Sequence, residues 1–334
     1  MHIRVGIKAM GLLLATLVAV VTFSACGANQ SSDQPIPAAA GRTIQHAMGE
    51  TVVPQTPERV VLLWSALDTL ALGVEPVGAV LSGPSQMVGE ALIPMFSDRT
   101  AGIAAVGNYA QPNLETIVEL QPDLILGTTF AESFYPHLSQ IAPTVLMDIS
   151  GGAAAWKTYV LTWATALGKP DAAQALIQQY EQRIAQFQQV MGDRLQNTRV
   201  SVARFGSDRI RIYQTDSLPG AVLAETGLLR PESQQQRNHD ETISLESLPS
   251  IDGDVLFFVQ DDPEASTLAQ AQESQLWSQL DVVQRGQVHE VSAEVWFLNL
   301  GIVSAHLMLN DLFRTLVPDG EQYVIHQVGE LPLP

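Results

Sequence analysis

Cysteine is almost absent: Cys26 is the only one in 334 residues. That excludes a disulfide within the chain, so stability must come from packing. Cations are also scarce, with 17 Lys and Arg against 35 Asp and Glu and a formal net charge of −18. A nucleic-acid partner wants a basic surface, and this composition argues against one, although a local positive patch inside a cleft stays open. Charged residues are 16% and apolar residues 46%, which permits large cores and argues against disorder. The chain has no G-x-S-x-G elbow, no P-loop, no G-x-G-x-x-G and no H-E-x-x-H. No two of its seven histidines stand three or four residues apart, so spacing points to no metal site.

At the N-terminus, Arg4 and Lys8 precede an uncharged apolar run from Ala9 to Phe23. At about 15 residues it is short for a membrane span, and with small residues after it the pattern predicts a signal peptide over 1–25. Phe23-Ser24-Ala25-Cys26-Gly27 resembles a bacterial lipobox with Phe in place of the usual Leu. The resemblance implies acylation of Cys26; the alternative is an ordinary signal peptide with an incidental thiol. Residues 26–42 are small, polar and Pro-containing, a tether between anchor and folded body.

Short apolar strands alternating with helices follow, which indicates βαβ units and a mostly parallel sheet. Strands are predicted at Val60–Trp64, Val77–Leu81, Leu124–Leu126 and Thr144–Met147, after a hairpin around Gly49. Between Asp171 and Leu195 the apolar residues Leu176, Tyr180, Ile184, Phe187 and Met191 fall three or four apart, one helical stripe. At ~1.5 Å per residue this helix is about 38 Å long. It reads either as a helix packed on one domain or as a strut between two. Strands at Arg199–Phe205, Arg209–Gln214 and Val288–Val291 and helices at Leu218–Thr226 and Ile302–Leu316 complete the second half. The fold class is therefore α/β; on the strut reading the lobes cover 43–169 and 197–334, the connecting helix 170–196, and a ligand cleft lies between the lobes.

The two halves share a pattern. Pro112–Leu126 (PNLETIVELQPDLIL) and Ile243–Phe257 (ISLESLPSIDGDVLF) align without gaps. Asn113 falls on Ser244, Glu115 on Glu246 and Asp123 on Asp254. Asn and Ser both serve as N-caps. An acid in a first helical turn complements the helix dipole, which by itself accounts for Glu115 and Glu246.

In open α/β folds, ligands bind outside the carboxyl ends of the strands. Candidates are thus Trp64, Ser65, Phe130, Arg204, Tyr213 and Trp296, with Tyr109 just before the repeated motif. Aromatics beside an arginine suit an apolar ligand with an anionic or oxygen-rich part. Core packing is the plainer reading of each aromatic, and a surface ion pair that of Arg204.

Pro57–Val80, Val106–Gly127, Ile243–Phe258 and Val295–Phe313 together resemble the periplasmic binding proteins for iron–siderophore import, a group related to vitamin B12 and haem binders. The resemblance covers roughly Arg42 to Leu316. It implies two Rossmann-like αβ lobes joined by one long helix, no catalysis and no cofactor. The ligand would be an iron(III)–siderophore whose iron the siderophore itself holds, with no direct metal ligand from the protein. It implies docking of Glu115 and Glu246 on an ABC permease, a membrane link through lipidated Cys26 and a monomeric exported protein at the outer face of the plasma membrane or in the periplasm. The ferric hydroxamate binder has an arginine where Tyr109 stands and a tyrosine near Phe130. Trp296 matches a tryptophan that lines the family's cleft. A second cleft tryptophan falls near Asn238, so Arg237, Asn238 and His239 are wall candidates, and Arg204 or Arg237 would supply positive charge. The competing readings are the same receptor for haem (with His239 or Tyr109 as iron ligand), cobalamin or ferric citrate; an exported αβ enzyme; and a structural lipoprotein.

Overall fold

The computed structural model describes residues 41–64, 66–80, 97–100, 102–262 and 266–326. The signal segment, Cys26, most of the tether, Ser65 and most of the loop after Val80 lie outside them. The N-terminal half opens with an antiparallel hairpin of β1 (Gly41–His46) and β2 (Gly49–Pro54), turning at Gly49 with φ 112°. There follow β3 (Val60–Leu62), α1 (Leu67–Ala71), β4 (Gly78–Ala79), α2 (Ser97–Thr100) and β5 (Ala104–Ala105). A two-residue ladder of β6 (Gly107–Asn108) and β7 (Gln111–Pro112) leads into α3 (Leu114–Glu119), β8 (Leu124–Thr128), α4 (Tyr135–Ile141) and β9 (Thr144–Met147). Strands in the order β5-β4-β3-β8-β9 make an all-parallel sheet.

Two helices follow: α5 (Trp156–Leu167), and α6 (Pro170–Met191), which connects the halves. The expected strut is α6, started by Pro170 and continued by a 3₁₀ turn from Gly192 to Asn197. α5 goes unassigned from sequence, although its buried residues Trp156, Tyr159, Val160, Trp163, Ala164 and Leu167 fall on one face and Lys157, Thr158 and Thr162 on the other. The second half comprises β10 (Val200–Phe205), β11 (Ile210–Tyr213), α7 (Leu218–Thr226), β12 (Asp240–Ile243), β13 (Val255–Gln260), α8 (Thr267–Glu273), α9 (Gln275–Gln279), α10 (Asp281–Gln284), β14 (Val288–Glu290) and α11 (Ile302–Leu316). Its sheet, β12-β11-β10-β13-β14, is mixed: β11 runs antiparallel to both β10 and β12, and β10, β13 and β14 are parallel. The sequence reading gave β12 no strand, since Asp240–Ile243 is a half-exposed edge with one apolar residue.

The repeated motif is built the same way twice. Asp123 accepts from the backbone N–H of Glu58 and Arg59 just before β3, and Asp254 from that of Arg199 just before β10. Each aspartate thus ties the central strand of its sheet to the strand beside it. The caps differ. Asn113 accepts from the Thr116 N–H at 3.2 Å, as expected, and starts an α-helix. Ser244 makes no such bond; its hydroxyl donates to the Glu246 carboxylate at 3.2 Å, and Leu245–Ile251 is a 3₁₀ helix around Pro249. Proline lacks an N–H and cannot sustain α-helical bonding there.

Side chains alternate along the central strands between two cores. Val60, Leu62, Leu124 and Leu126 join Val200, Val202, Val255 and Phe257 in one shared core around α5, α6 and α11. Val61, Leu63 and Ile125 face the outer helices of the first lobe, and Ala203, Phe205 and Leu256 those of the second. Strands buried on both faces read as continuous apolar runs, which is why they were legible. The protein is thus two-lobed by its sheets and continuous by its central core.

Inside that core, α6 and α11 meet through polar groups. The Arg183 guanidinium donates to the His306 carbonyl at 2.8 Å, to Asn310 Oδ1 at 2.7 Å and to the Tyr323 carbonyl at 3.1 Å. His306 is fully buried, its Nε2 facing the Leu176 carbonyl at 3.3 Å and its Nδ1 the Arg183 guanidinium at 3.3 Å. Burial first, and the Arg183 charge second, push its pKa down to about 3. Its folded pKa lies below the unfolded value, so its contribution to stability is present above about pH 6.5 and is lost as pH falls from there toward 3. At ~1.4 kcal/mol per pH unit, acidification from 6.5 to 5 removes about 2 kcal/mol through this one group. Urea unfolding of His306→Gln against the wild type checks this: the variant's stability falls less steeply over that interval.

Candidate functional site

Three aromatic rings gather at the carboxyl end of the first sheet. Trp64 stands two residues after β3 and Phe130 two after β8. Tyr109 occupies the turn between β6 and β7, held by Asn108, whose Oδ1 accepts from the N–H of Ala110 and Gln111 at 3.0 and 2.9 Å. Trp64 stacks on Phe130 at 5.8 Å between centroids with planes 21° apart; Tyr109 tilts against both, at 5.9 Å from Trp64 and 5.2 Å from Phe130. Tyr109 and Phe130 are 46% and 51% exposed. Two large rings left in solvent, side by side, are costly as packing and useful as a platform.

The second sheet offers the opposite chemistry. Along one face of β10, Val200 and Val202 enter the shared core and Arg204 follows them outward. Arg204 pairs across the ladder with Arg211, and Tyr213 lies two residues further along the same face. The Arg204 Nε donates to Asp261 Oδ1 at 2.6 Å, and its guanidinium lies 6.0 Å from the Phe297 ring. Tyr213 meets Phe297 at 4.2 Å and His239 at 5.5 Å. Burial raises the Tyr213 phenol, with Arg211 and Arg204 opposing the shift. Arg211 approaches Asp240 at 3.9 Å, and His239 Nδ1 lies 2.9 Å from the same carboxylate. Arg237, Asn238 and His239 are all exposed, on the segment whose carbonyls at Gln236, Asn238 and His239 accept from the N–H groups of Thr215, Asp216 and Gln214.

The structure brings together Trp64, Tyr109 and Phe130 on one side and Arg204, Tyr213 and His239 on the other, with Arg237 and Asn238 beside His239. Trp296 is a correction. It is fully buried, stacked on Phe257 at 4.9 Å, and its indole N–H donates to Asp311 Oδ2 at 2.8 Å. A buried indole needs such an acceptor, so Trp296 fastens its segment to α11 and lines no cleft. Glu294–Leu298 forms a π-helical turn that points Trp296 inward and sets its neighbour Phe297 against Tyr213 and Arg204. Phe297 and Arg211 were missed from sequence. The Arg204–Arg211 pairing depends on hairpin register, which the turn at Gly206–Asp208 could have supplied. Glu115 and Glu246 are exposed at the starts of their helices, as expected.

A crevice beside Trp64 is lined by Trp64, Asp68, Met147, Tyr159 and Trp163 with Leu300, three residues beyond Phe297. Among the described residues no group of three or more His, Cys, Asp or Glu side chains could hold a metal ion, and no helix is long and apolar enough to cross a membrane.

Two αβ lobes on one connecting helix, with a cleft between them, define a solute-binding protein. The family profile of the periplasmic binding proteins matches residues 79–295, and the chain belongs to that non-catalytic family. It is 36% identical over 322 residues to the probable siderophore-binding lipoprotein YfiY of Bacillus subtilis, covering 91% of this chain and 97% of that one. It is 34% identical to the achromobactin-binding periplasmic protein of Dickeya dadantii, covering 77% and 86%. Among solved structures, Staphylococcus aureus SirA complexed with staphyloferrin B is similar, at 30% identity and a TM-score of 0.72, covering 86% of this chain and 100% of that one.

Proposed function

We propose that this protein is an exported lipoprotein that captures a ferric siderophore between its two walls and delivers it to an ABC permease. The observations that carry the reading are the Trp64–Tyr109–Phe130 platform on the first lobe and, on the second, the cross-strand pair of Arg204 and Arg211 with exposed Arg237. Aromatic faces suit the organic arms of a siderophore, and guanidinium groups suit anionic oxygens around its iron. The iron is cargo, held by the siderophore. The relatives support the same class, since one is a probable siderophore-binding lipoprotein and another was solved with staphyloferrin B. In this chain, Asp261 and Asp240 already offset Arg204 and Arg211, whereas Arg237 is exposed and makes no hydrogen bond or ion pair among the described residues. Arg237 is the cation most open to a ligand, with Tyr213, Asn238 and His239 beside it.

Delivery would use Glu115 and Glu246, one on each lobe and each exposed at the start of a helix that leads into a central strand. The anchor would be a lipid on Cys26. Iron uptake in cells checks these roles together with binding in vitro. Glu115→Ala with Glu246→Ala is expected to leave ferric siderophore affinity within about twofold and to lower uptake at least tenfold, because removing one charge-assisted contact costs about 1.5–3 kcal/mol. Wild-type uptake by that double variant would remove the docking assignment. A Cys26→Ser protein that still partitions with membranes would remove the anchor.

A further inference from the structure

Asp68 belongs to neither wall. It sits on α1 of the first lobe, is 8% exposed, and its Oδ1 accepts from the Val303 N–H at 3.2 Å, across 235 residues of sequence. The Ile302 N–H also points at this carboxylate. Ile302 and Val303 are the first two residues of α11, whose amides have no partner within the helix. The residue that should cap them is Gly301, which has no side chain. A Cβ at position 301 would lie 1.7 Å from Asp68 Oδ2. The glycine therefore clears the space that the aspartate fills, and α11 is capped from the opposite side of the cleft.

We propose that Asp68 is a positioning residue of the ligand cleft, an inter-lobe cap that holds α11, and through it Phe297, at a set distance from Trp64. Trp64 precedes Asp68 by four residues, and both line the crevice that Leu300 closes from the other side. Phe297 and the capped amides bracket Leu300 within six residues. The bond from Asp68 to Val303 thus lies beside the crevice that Trp64 and Leu300 share. Burial raises the Asp68 carboxyl to about 7, with the Val303 and Ile302 N–H groups opposing. The other titratable side chain lining the crevice is Tyr159, whose hydroxyl donates to the Gly152 carbonyl at 2.9 Å and faces Asp148. Burial penalises the carboxylate in the closed cap more than in an opened one, so the cap loosens as pH rises toward about 7.

Hydrogen exchange of the ligand-free protein tests the cap without any assumption about the ligand. Asp68→Ala should speed exchange at Ile302 and Val303 about tenfold, the range set by loss of a helix cap, with α5 unchanged. Asp68→Asn, which keeps an acceptor oxygen, should stay within about threefold of wild type and lose the change in protection between pH 6 and 8. Acrylamide quenching then reads the cleft, because Trp64 is the one tryptophan of five that is not buried. Quenching should rise in Asp68→Ala and stay near wild type in Asp68→Asn. Unchanged exchange at 302–303, or faster exchange with unchanged Trp64 quenching, overturns the proposal. Should Asp68→Ala not fold, an equal pH response in Asp68→Asn and wild type overturns it. Titration of Asp68→Ala and wild type with ferric citrate rests on the proposed ligand site: weaker binding by the variant is expected, and no binding by either protein beside altered exchange faults the ligand reading and leaves the cap standing.

Discussion

Replacing Tyr109 and Phe130 together with alanine lowers affinity for a ferric siderophore about 100-fold and leaves the melting temperature within about 1 °C. Both halves of this expectation come from exposure. Rings that are 46% and 51% exposed contribute little to the core, and substitutions at such positions usually shift stability by no more than about 0.5 kcal/mol. A ligand seated on them covers that apolar surface, and aromatic anchors at binding sites are typically worth 1–2 kcal/mol or more each. Two such losses give two orders of magnitude, at ~1.4 kcal/mol per tenfold. Trp64 remains in the double variant, so titration by tryptophan fluorescence still works. Equal affinity in variant and wild type would mean that the ligand does not use this wall.

Arg183→Met has the opposite profile, a large loss of stability with ligand contacts untouched. The side chain is 4% exposed and gives three hydrogen bonds that join α6 to α11 and to the segment after it. Burial lowers its pKa to about 10, so it stays charged at neutral pH. Its neighbours are carbonyl and amide oxygens and the Phe313 ring at 5.6 Å. Methionine fills much of the volume but strands those oxygens, and each buried acceptor left without a partner costs about 1–3 kcal/mol. The expected loss is about 3 kcal/mol, a drop in melting temperature of roughly 6–10 °C for a chain of this size. Calorimetry checks it. A shift under about 2 °C would show that water or a local rearrangement satisfies the stranded groups.

Much of the fold was legible because both central sheets are buried on two faces. Runs such as Val60–Leu63 and Val255–Val259 can only be core strands in a chain so short of other long apolar segments. α6 was legible for a different reason, one clean stripe on an otherwise polar helix. β12 escaped because it is polar nearly throughout, whereas α5 carries a readable stripe from Trp156 to Leu167 that went unassigned. The repeated motif predicted two matched lobes, and its aspartates turned out to be the more exact repeat, since Asp123 and Asp254 make the same backbone contact in each. At the site, Trp64 and Phe130 could be chosen from their places after strands, and Tyr109 from its place just before the repeated motif. Trp296 was the wrong member of Val295-Trp296-Phe297, because a π-helical turn, invisible to periodicity, decides which of two adjacent aromatics faces out. Asp68 was out of reach from sequence, since its partners are backbone amides 235 residues away.

The central claim is that the aromatic and arginine walls hold one ferric siderophore. Isothermal titration of the wild-type protein with a panel of ferric hydroxamates, ferric catecholates and ferric citrate, each beside its iron-free form, tests it most directly. The account predicts one saturable site for at least one anionic ferric complex, at least tenfold weaker binding of the same siderophore without iron, and affinity that falls as salt screens the arginines. No saturable binding across the panel, or equal affinity with and without iron, would contradict it.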